Sequence, residues 1–384
     1  MLKRYLLAPG PTPIPPEVLL RMSQPLIHHR TPEFSQLFTE VQEGLRWLFQ
    51  TEQDVLILAA SGTGAMEAAV TNTCSAGDRV IVINSGKFGE RWLKICRAFG
   101  VQVVEVKVEW GQAVSVDVVG EALKAHPDAR AILLQASETS TTVLHPIEEI
   151  AALVRNTPAL LIVDGITAVG ATDTPMDRWG IDILVTGSQK ALMLPPGLGF
   201  VALSEKAWSR VEQATLPRFY FDLQRERKEQ RKHTTAYTPA ISLINGLHEV
   251  LRCLQEEGLV HVFTRHARLA AATRAAVQAL GLRLLAPASP SPAATGVWLP
   301  AEVDGSRLLT YMRDRMGVDI AGGQDHLKGK VARIAHIGYA GPFDVITAIS
   351  TLEMALSRFG ASVTLGHGIR AAEEVLLDGW PTVG

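Results

Sequence analysis

The sequence predicts an α/β protein, in which a large domain with a mostly parallel central sheet and helices on both faces precedes a smaller C-terminal α/β domain. Two apolar runs support this prediction: residues 160–163 stop abruptly at Asp164, and residues 183–185 lead into a polar segment ending on Lys190. Such runs are typical of parallel strands buried on both faces. Ligands bind beyond the carboxyl ends of these strands in open α/β sheets. We therefore expect Asp164 and Lys190 to face one crevice.

The bulk composition is that of a soluble globular enzyme. The chain has 384 residues, of which 47% are hydrophobic and 20% charged, enough for one large domain and a smaller one. A net charge of −2 does not indicate binding to nucleic acid or to an anionic membrane. No apolar stretch reaches the roughly 18 residues that a membrane helix needs, and the N-terminal apolar run is too short for a signal peptide. We expect a cytoplasmic protein.

The histidine and cysteine pattern does not predict a metal site. Cys74, Cys96 and Cys253 are widely spaced, which suits a reduced, intracellular setting and provides no cluster for nickel or iron–sulfur. His28 and His29 are adjacent, so their side chains point apart and no third ligand is evident. Together with Arg30 they are interpreted as surface or substrate-entrance groups.

The remaining elements follow from local patterns along the chain. Residues 8–16 contain five prolines and are expected to be extended. Apolar periodicity predicts a helix over 34–49. We expect strands at 55–58, 78–84, 101–108 and 131–135, a helix at 146–154, a long helical region over 241–280, small-domain strands at 297–299, 318–320 and 331–335, and helices at 306–316 and 342–359. Residues 218–232 are rich in Arg and Lys and are interpreted as a solvated surface segment. Nucleic-acid binding is not expected there, because the aromatic residues at 219–221 lie together and not among the charges.

The strand at 55–58 is followed by a turn that is a candidate anion site. Ser61, Gly62, Thr63 and Gly64 come between this strand and an apolar helix. A strand, a glycine-rich turn and a helix together present free backbone N–H groups and a positive dipole end to an anion. The turn lacks the spacing of a Walker loop or of a dinucleotide fingerprint. Many glycine turns only reverse the chain, and that reading stays open.

The pairing of Asp164 with Lys190 points to pyridoxal phosphate (PLP). A lone lysine is usually a solvated charge, and an aspartate after a strand is often a helix cap. Here Lys190 precedes the apolar, Gly/Pro-rich residues 191–199, which are a poor environment for a charge. Low dielectric lowers a lysine pKa, and the neutral amine is the nucleophile that forms a Schiff base with the cofactor aldehyde. A carboxylate commonly pairs with the pyridinium nitrogen.

These motifs carry a family resemblance. Residues 163–165, 187–192 and 195–197 resemble those of fold-type I PLP enzymes, and within them of the class V aminotransferases of the alanine–glyoxylate and serine–glyoxylate (serine–pyruvate) type. The likeness extends from residues 8–12 to Arg333. It implies a large PLP-binding domain over 21–255, preceded by an N-terminal arm over 1–20 and followed by a small domain over 256–384.

The resemblance also implies roles for individual residues. Lys190 would bind the PLP aldehyde, Asp164 the pyridinium nitrogen, Phe88 the ring face and Arg333 the substrate carboxylate. Gly10 would lie near the substrate. Further cofactor contacts would come from Ser61, Gly62, Thr63, Gly64, Thr139 with Ser140 as its alternative, Ser188, Gln189, and, across a dimer interface, Tyr237 and Thr238. Competing readings are a core position for Phe88, a helix-capping turn at Thr139 and a structural ion pair for Arg333.

The implied activity is ping-pong transfer of an amino group from a small amino acid, alanine or serine, to a small 2-oxo acid, glyoxylate or pyruvate. The enzyme would be a homodimer with shared active sites. One alternative is a cysteine desulfurase-like PLP lyase, which needs a mobile cysteine in the C-terminal part, where only Cys253 is available. Another is a non-catalytic subunit that keeps the fold. The sequence does not identify the amino donor, and no second arginine is obviously placed for a dicarboxylate.

Overall fold

The structure, a computed structural model, describes residues 2–378 of the chain. Its strands, in chain order, are β1 (Tyr5–Leu6), β2 (Val55–Leu58), β3 (Arg79–Asn84), β4 (Gln102–Lys107), β5 (Ala131–Gln135), β6 (Ser137–Glu138), β7 (Val143–Leu144), β8 (Leu160–Asp164), β9 (Ile183–Gly187), β10 (Gly199–Leu203), β11 (Arg283–Leu284), β12 (Ala294–Trp298), β13 (Val318–Asp319), β14 (Ala321–Gly322) and β15 (Val331–Ala335).

The helices alternate with the strands of the large domain and pack against those of the smaller one. They are α1 (Pro16–Met22), α2 (Pro32–Phe49), α3 (Gly62–Thr73), α4 (Lys87–Ala98), α5 (Val116–Ala125), α6 (Ile147–Val154), α7 (Met176–Trp179), α8 (Glu205–Val211), α9 (Leu223–Gln230), α10 (Ile241–Glu257), α11 (Leu259–Ala279), α12 (Gly305–Tyr311), α13 (Pro342–Arg358) and α14 (His367–Leu377). A π-helical turn spans Met312–Met316 and a 3₁₀ turn spans Asp325–Leu327. No helix within residues 2–378 is long and apolar enough to cross a membrane.

The large domain is built on a seven-stranded sheet of order β2-β10-β9-β8-β5-β3-β4. Strand β10 runs antiparallel to both of its neighbours, and the remaining pairs are parallel. Helices α2, α6 and α10 contribute to the apolar cluster on one face, and α3, α4 and α8 to the cluster on the other. Strands β5, β8 and β9 are buried along their whole length, which is why their sequences are continuously apolar.

The smaller unit has an antiparallel sheet of order β11-β12-β15-β14, and α11, α13 and α14 contribute to its separate apolar cluster. Strand β1 pairs in parallel with β13, with Tyr5 opposite Val318. This separate two-stranded pairing ties the N-terminal segment, expected as an arm over 1–20, to the smaller unit, and the Ala335 N–H on β15 also donates to the Leu7 carbonyl at 2.8 Å. Of the expected domain ranges, residues 1 and 379–384 lie outside the described residues, and the exact limits stay predictions.

Three expected elements differ in detail from the structure. The helical region over 241–280 consists of two helices because Gly258, with φ +82°, interrupts it. The helix expected over 306–316 leaves α geometry after Tyr311 and ends in the π-helical turn. Part of the basic segment over 218–232 is the packed helix α9, in which the buried Gln230 side chain bonds to the backbone of Ile57 at 3.0 and 2.7 Å. The description of that segment as merely solvated is therefore wrong.

Candidate active site

Asp164 and Lys190 lie at one edge of the central sheet, as the strand patterns predict. Asp164 is the last residue of β8, and Lys190 follows the end of the adjacent β9 by three positions. Both side chains are buried, with relative exposures of 4% and 8%. Each contributes to the electrostatic environment of the other, so the two charges share one site.

Burial shifts both groups toward their neutral forms. Desolvation raises the pKa of Asp164 to about 7, although the Ile166 N–H donates to its Oδ1 at 2.8 Å and favours the carboxylate. Desolvation, followed by the positive charge of Arg333, lowers the pKa of Lys190 to about 8. A lysine that is partly neutral near physiological pH is suited to nucleophilic and general-base chemistry.

The N-terminal segment covers Lys190. The Lys190 Nζ donates to the backbone carbonyl of Pro9, and Thr12 Oγ1 donates to the Lys190 carbonyl at 2.8 Å. Gly10 has φ +124°, and a Cβ there would overlap the lysine amine. The residue must therefore be glycine both for its backbone conformation and for the close approach. Gly10 thus lies directly against Lys190, as the resemblance implies for the mouth of the site.

The glycine turn forms the N-terminus of α3 near this edge. Ser61 is the N-cap residue, but its side chain caps no backbone N–H group. A Cβ at Gly187, the last residue of β9, would lie 3.2 Å from Gly62 N, so this turn packs against the strand that leads to Lys190. The N–H of Gly64 already donates to the Ser61 carbonyl at 2.9 Å. The N–H groups of Gly62 and Thr63 belong to the first turn, where a helix supplies no partner, and they suit a phosphate.

Arg91, which the sequence analysis did not single out, supplies a cation at the same place. Its Nη1 donates to Thr63 Oγ1 at 3.1 Å, and its guanidinium lies 4.8 Å from the centre of the Phe88 ring. Its charge also contributes to the shifts of Asp164 and Lys190. Arg91 lies three residues after Phe88, a spacing that places both side chains on one face of a helix, and this spacing is the sequence signal that could have identified it.

Phe88 is half-buried and belongs to neither core cluster of the large domain. It occupies the first turn of α4, and its N–H donates to Glu138 Oε2 at 3.0 Å. The core position that was considered for Phe88 is therefore wrong. A partly exposed ring beside Arg91 is compatible with stacking on a cofactor.

Arg333 of β15 contacts Thr139, which follows the short strand β6. Arg333 lies on β15 with 6% exposure, and its Nη1 and Nε donate to the carbonyls of Thr139 and Gly322 at 2.7 and 3.0 Å. Within residues 2–378 it forms no ion pair with a carboxylate, so the structural ion-pair reading is wrong. Thr139 Oγ1 is hydrogen-bonded to Thr167 Oγ1 at 2.6 Å, and the Ser140 hydroxyl is bound to Glu138.

Ser188 and Gln189 occupy the turn that precedes Lys190. The Ser188 hydroxyl donates to the Pro195 carbonyl at 2.7 Å, and its N–H donates to the Leu198 carbonyl at 3.0 Å. Both groups therefore stabilise the turn instead of facing the crevice. The Gln189 carbonyl accepts from Thr12 N at 3.2 Å, whereas its buried Oε1 has no protein partner. Of this pair, Gln189 keeps a polar atom available for a ligand.

Tyr237 and Thr238 follow helix α9, and within residues 2–378 neither is hydrogen-bonded to the groups described above. They line a small cavity together with Ala59 and Tyr220, and the Tyr237 ring stacks on Tyr220 at 5.2 Å. The Tyr237 hydroxyl donates to the Phe219 carbonyl at 3.1 Å. Their assignment to a partner's phosphate site stays a prediction.

The residues at the sheet edge fit PLP. An uncapped helix start with a neighbouring arginine suits the phosphate, a half-buried phenylalanine suits the ring face, and the buried Asp164 suits the ring nitrogen. Lys190 has the low pKa that bonding to an aldehyde requires. Among residues 2–378 there is no group of three or more His, Cys, Asp or Glu side chains that could hold a metal ion.

Comparison with known proteins agrees with this chemistry. Residues 4–336 match the family model for class-V aminotransferases. The chain is 46% identical to the soluble hydrogenase small subunit of Synechococcus sp. (strain PCC 6716), covering 97% of this chain and 98% of the relative. It is 38% identical to the L-aspartate–glyoxylate aminotransferase of Paracoccus denitrificans (95% and 94% covered) and 35% identical to the serine–glyoxylate aminotransferase of Methylorubrum extorquens (97% and 96% covered).

Solved structures share the whole architecture. Pyridoxamine–pyruvate aminotransferase from Mesorhizobium loti superposes with a TM-score of 0.94 at 31% identity, covering 99% of this chain and 98% of that one. Ureidoglycine–glyoxylate aminotransferase from Bacillus subtilis superposes with a TM-score of 0.93 at 29% identity and 98% coverage of both chains. The fold is therefore that of the fold-type I PLP aminotransferases, as predicted.

Proposed function

Because this chain belongs to the class-V aminotransferases, whose cofactor is PLP, we propose that it transfers the amino group of alanine or serine to glyoxylate or pyruvate. The observation that carries the proposal is the buried Lys190, whose pKa of about 8 results from desolvation beside Arg333, at the same sheet edge as Asp164. An amine in that state can act as both nucleophile and base.

When bound, PLP supplies an electron-withdrawing ring that stabilises the charge left when a proton leaves the substrate's α-carbon. Asp164 would keep the ring nitrogen protonated, because pairing with the positively charged ring nitrogen stabilises a carboxylate that burial has destabilised. Phe88 would cover the ring face, and residues 61–64 together with Arg91 would bind the phosphate.

Lys190 would move the proton. Its neutral amine would take the proton from the α-carbon and return it to the carbon that began as the cofactor's aldehyde, as base and then as acid. The carbonyl of Pro9 accepts a hydrogen bond from the Nζ and so gives the amine a defined position. The arm packs so closely against Lys190 at Gly10 that no side chain would fit between them.

Arg333 would bind the substrate's α-carboxylate. Two of its guanidinium nitrogens are oriented by the carbonyls of Gly322 and Thr139, which prevents the long side chain from sampling other conformations. Charge-assisted hydrogen bonds to a carboxylate are strong in such a buried setting.

The charged residues near Phe88 support a substrate with a small, uncharged side chain. Lys87, on the same helix turn as Phe88, is paired with Glu90 at 2.6 Å and with Asp325 at 2.7 Å. Lys87, Glu90 and Asp325 together carry a net charge of −1, which would disfavour a second carboxylate on a substrate whose side chain reaches this group. Alanine and serine avoid that repulsion, and aspartate, the donor named for the Paracoccus relative, does not.

The proposal includes a cytoplasmic homodimer in which Tyr237 and Thr238 reach the partner's phosphate site. The exposed aromatic residues Phe219 and Tyr220, at 72% and 45% exposure, lie beside them and support an interface at this surface. Cys253 gives no support to the desulfurase alternative, because it lies within helix α10 with its Sγ near Glu249.

One experiment tests the reaction directly. The PLP-loaded enzyme is mixed with single amino acids in the absence of an oxo acid, and the visible absorbance of the bound cofactor is followed. Alanine or serine should change the absorbance stoichiometrically, and glyoxylate or pyruvate should reverse the change. A response to no amino acid would contradict transamination, and a colourless protein that takes up no PLP would favour a non-catalytic subunit. Release of sulfide from cysteine would favour the lyase.

A further inference from the structure

We infer that Glu138 is a positioning residue that holds Phe88 against the cofactor by closing the first turn of helix α4. This inference rests on the proposed function only in that Phe88 is taken to cover the cofactor ring. Within residues 2–378, Glu138 forms no hydrogen bond with Lys190 or Asp164.

The Glu138 carboxylate is completely buried and occupies the N-terminus of α4. Its Oε2 accepts hydrogen bonds from the N–H groups of Phe88 at 3.0 Å and Gly89 at 3.1 Å. Its Oε1 accepts from the N–H and the hydroxyl of Ser140 at 3.0 and 2.5 Å. The Ser140 hydroxyl oxygen in turn accepts from Lys87 N at 2.9 Å. Glu138 and Ser140 thus satisfy the three first-turn N–H groups that the helix itself leaves without partners.

A carboxylate is better suited to this place than any other side chain. All four of its hydrogen-bond partners are donors, and the positive end of the helix dipole lies there. Burial raises the pKa of Glu138, whereas the bonds from Ser140, Gly89 and Phe88 lower it. A glutamine side chain has the same shape, but its NH₂ group would face N–H donors and could not accept their hydrogen bonds. Two of the four bonds would be lost.

The backbone at the start of α4 packs closely against the Glu138 side chain. Gly86, the N-cap of α4, has an extended φ of 167° that any residue can adopt. A Cβ there would nevertheless overlap the Oγ of Ser140 and lie 2.5 Å from Cδ and 2.6 Å from Cγ of Glu138. Glycine at this position therefore serves the close approach of Glu138 and not a special backbone conformation.

The same short segment holds two other groups of the site. Next to Glu138, Thr139 bonds through its hydroxyl to Thr167 and through its carbonyl to Arg333. A shift of the Glu138 side chain would therefore be transmitted first to the turn carrying Phe88, whereas Thr139 is restrained from two other sides. This difference predicts that the hydrogen bonds of Glu138 couple it to Phe88, while its charge also acts on Asp164 and Arg333.

A double-mutant cycle on the PLP dissociation constant of the apoenzyme tests this coupling. Phe88→Ala and Glu138→Gln should each weaken PLP binding by about 5- to 20-fold, the range expected for losing one aromatic stack or one pair of charge-assisted bonds. The double variant should be no more than about 2-fold weaker than the weaker single variant, because both changes remove the same ring contact. Effects that multiply would overturn the inference.

The visible circular dichroism of bound PLP provides a second readout, since it responds to ring orientation and not to overall stability. It should change in Glu138→Gln and in Phe88→Ala alike. If Phe88→Ala weakens binding while Glu138→Gln leaves both affinity and dichroism intact, the positioning role is wrong although the proposed function stands. Wild-type protein that binds no PLP would instead contradict the proposed function.

Gly86→Ala covers the case in which Glu138→Gln fails to fold. It keeps the carboxylate and pushes it away from the turn, so it should reproduce the weaker binding and the altered dichroism. Gly120→Ala in helix α5 is the matched control, because its new Cβ would meet its nearest neighbour, Leu153, at 3.6 Å. Equal PLP affinity in the two alanine variants would also overturn the inference.

Discussion

Arg333 Nη1 donates a hydrogen bond of 2.7 Å to the backbone carbonyl of Thr139, although the two residues are 194 positions apart in the chain. Arg333 lies on β15 of the smaller sheet, and Thr139 directly follows β6, a short strand that pairs with β7 outside the central sheet. The bond orients the guanidinium without neutralising it. The cation that we assign to the substrate therefore depends on contact between β15 and the segment that follows β6.

Replacing this arginine should affect the substrate more than the cofactor. Arg333→Gln removes the charge assigned to the α-carboxylate and should raise KM for the amino donor by about 100-fold, equivalent to roughly 3 kcal/mol for a lost charged hydrogen-bond pair. Arg333→Lys should recover only part of that loss because a lysine cannot form the planar fork. Steady-state kinetics and PLP titration measure the two effects. Loss of PLP affinity with an unchanged KM would show that Arg333 acts on the cofactor instead.

Lys190→Ala should abolish the visible absorbance that depends on a covalent bond between chain and cofactor. The rate of amino transfer should fall by about 10³-fold or more, since both the nucleophile and the base are removed. Lys94→Ala, at a side chain with 72% exposure, is the matched control and should behave as wild type. Retention of the absorbance in Lys190→Ala would mean that another amine holds the cofactor.

The capture of PLP by the apoenzyme should depend on pH through Lys190. Its pKa is lowered to about 8, so the neutral, nucleophilic fraction increases as pH rises toward that value and is complete above it. The second-order rate of absorbance gain should accordingly rise from pH 6 to 8 and level off above about 9. A rate that keeps rising to pH 10 or beyond would indicate a lysine with its ordinary, solvated pKa.

Asp164→Asn should change the pH dependence of apoenzyme stability. In the folded apoenzyme the Asp164 pKa is raised from 3.8 to about 7, so between these values the folded state binds more protons than the unfolded state. Protonation of Asp164 therefore stabilises the folded state at low pH. This stabilisation, up to about 4 kcal/mol in the free energy of unfolding, is lost as the pH rises from about 4 through 7. The variant lacks this loss, so its melting temperature relative to wild type should increase from pH 5 to 8.

The same Asp164→Asn protein should be the poorer enzyme, by about 10²-fold or more, because it no longer keeps the ring nitrogen protonated. Opposite changes in apoenzyme stability and in activity distinguish a functional carboxylate from a structural one. Parallel losses in both measurements would contradict the assigned role.

The pair of Lys87 with Asp325 should influence the choice of donor. Asp325→Asn removes one of the two carboxylates beside Lys87 and should raise kcat/KM for aspartate relative to alanine by about 3-fold, a modest change because the pair is partly exposed at 25% and 50%. Asp128→Asn, in an exposed pair with Arg79 elsewhere, is the control. An unchanged ratio would show that the substrate's side chain does not approach Lys87.

Several parts of the fold and site could be predicted because they depend on residues that are adjacent in the chain. A strand buried on both faces must be apolar along its length, so β8 and β9 and the polar groups at their ends were readable directly. The turn at residues 61–64 was readable for a similar reason, since it comes between a strand and a helix. The membership of Lys190 and Asp164 in one site then followed from the common edge of parallel strands.

Other features arise from contacts between distant segments, and local periodicity contains no information about them. The approach of Pro9 and Gly10 to Lys190 spans about 180 positions, and the pairing of β1 with β13 spans even more. Glu138 looked like one polar residue in a hydroxyl-rich stretch, whereas in the structure it binds the start of α4. Ser188 seemed available for a ligand, and only the returning segment at Pro195 and Leu198 engages its polar groups.

By itself, then, the sequence determined the layered α/β architecture, the strand-end lysine and aspartate, and the glycine turn, because backbone geometry and burial impose these patterns locally. The tertiary structure alone decided which side chains surround Lys190, that Arg333 is oriented by carbonyls and not by a carboxylate, and that Glu138 closes the turn bearing Phe88. The physical reason is that such contacts depend on how separate segments pack, and the free energy of that packing is distributed over residues that are far apart in the chain.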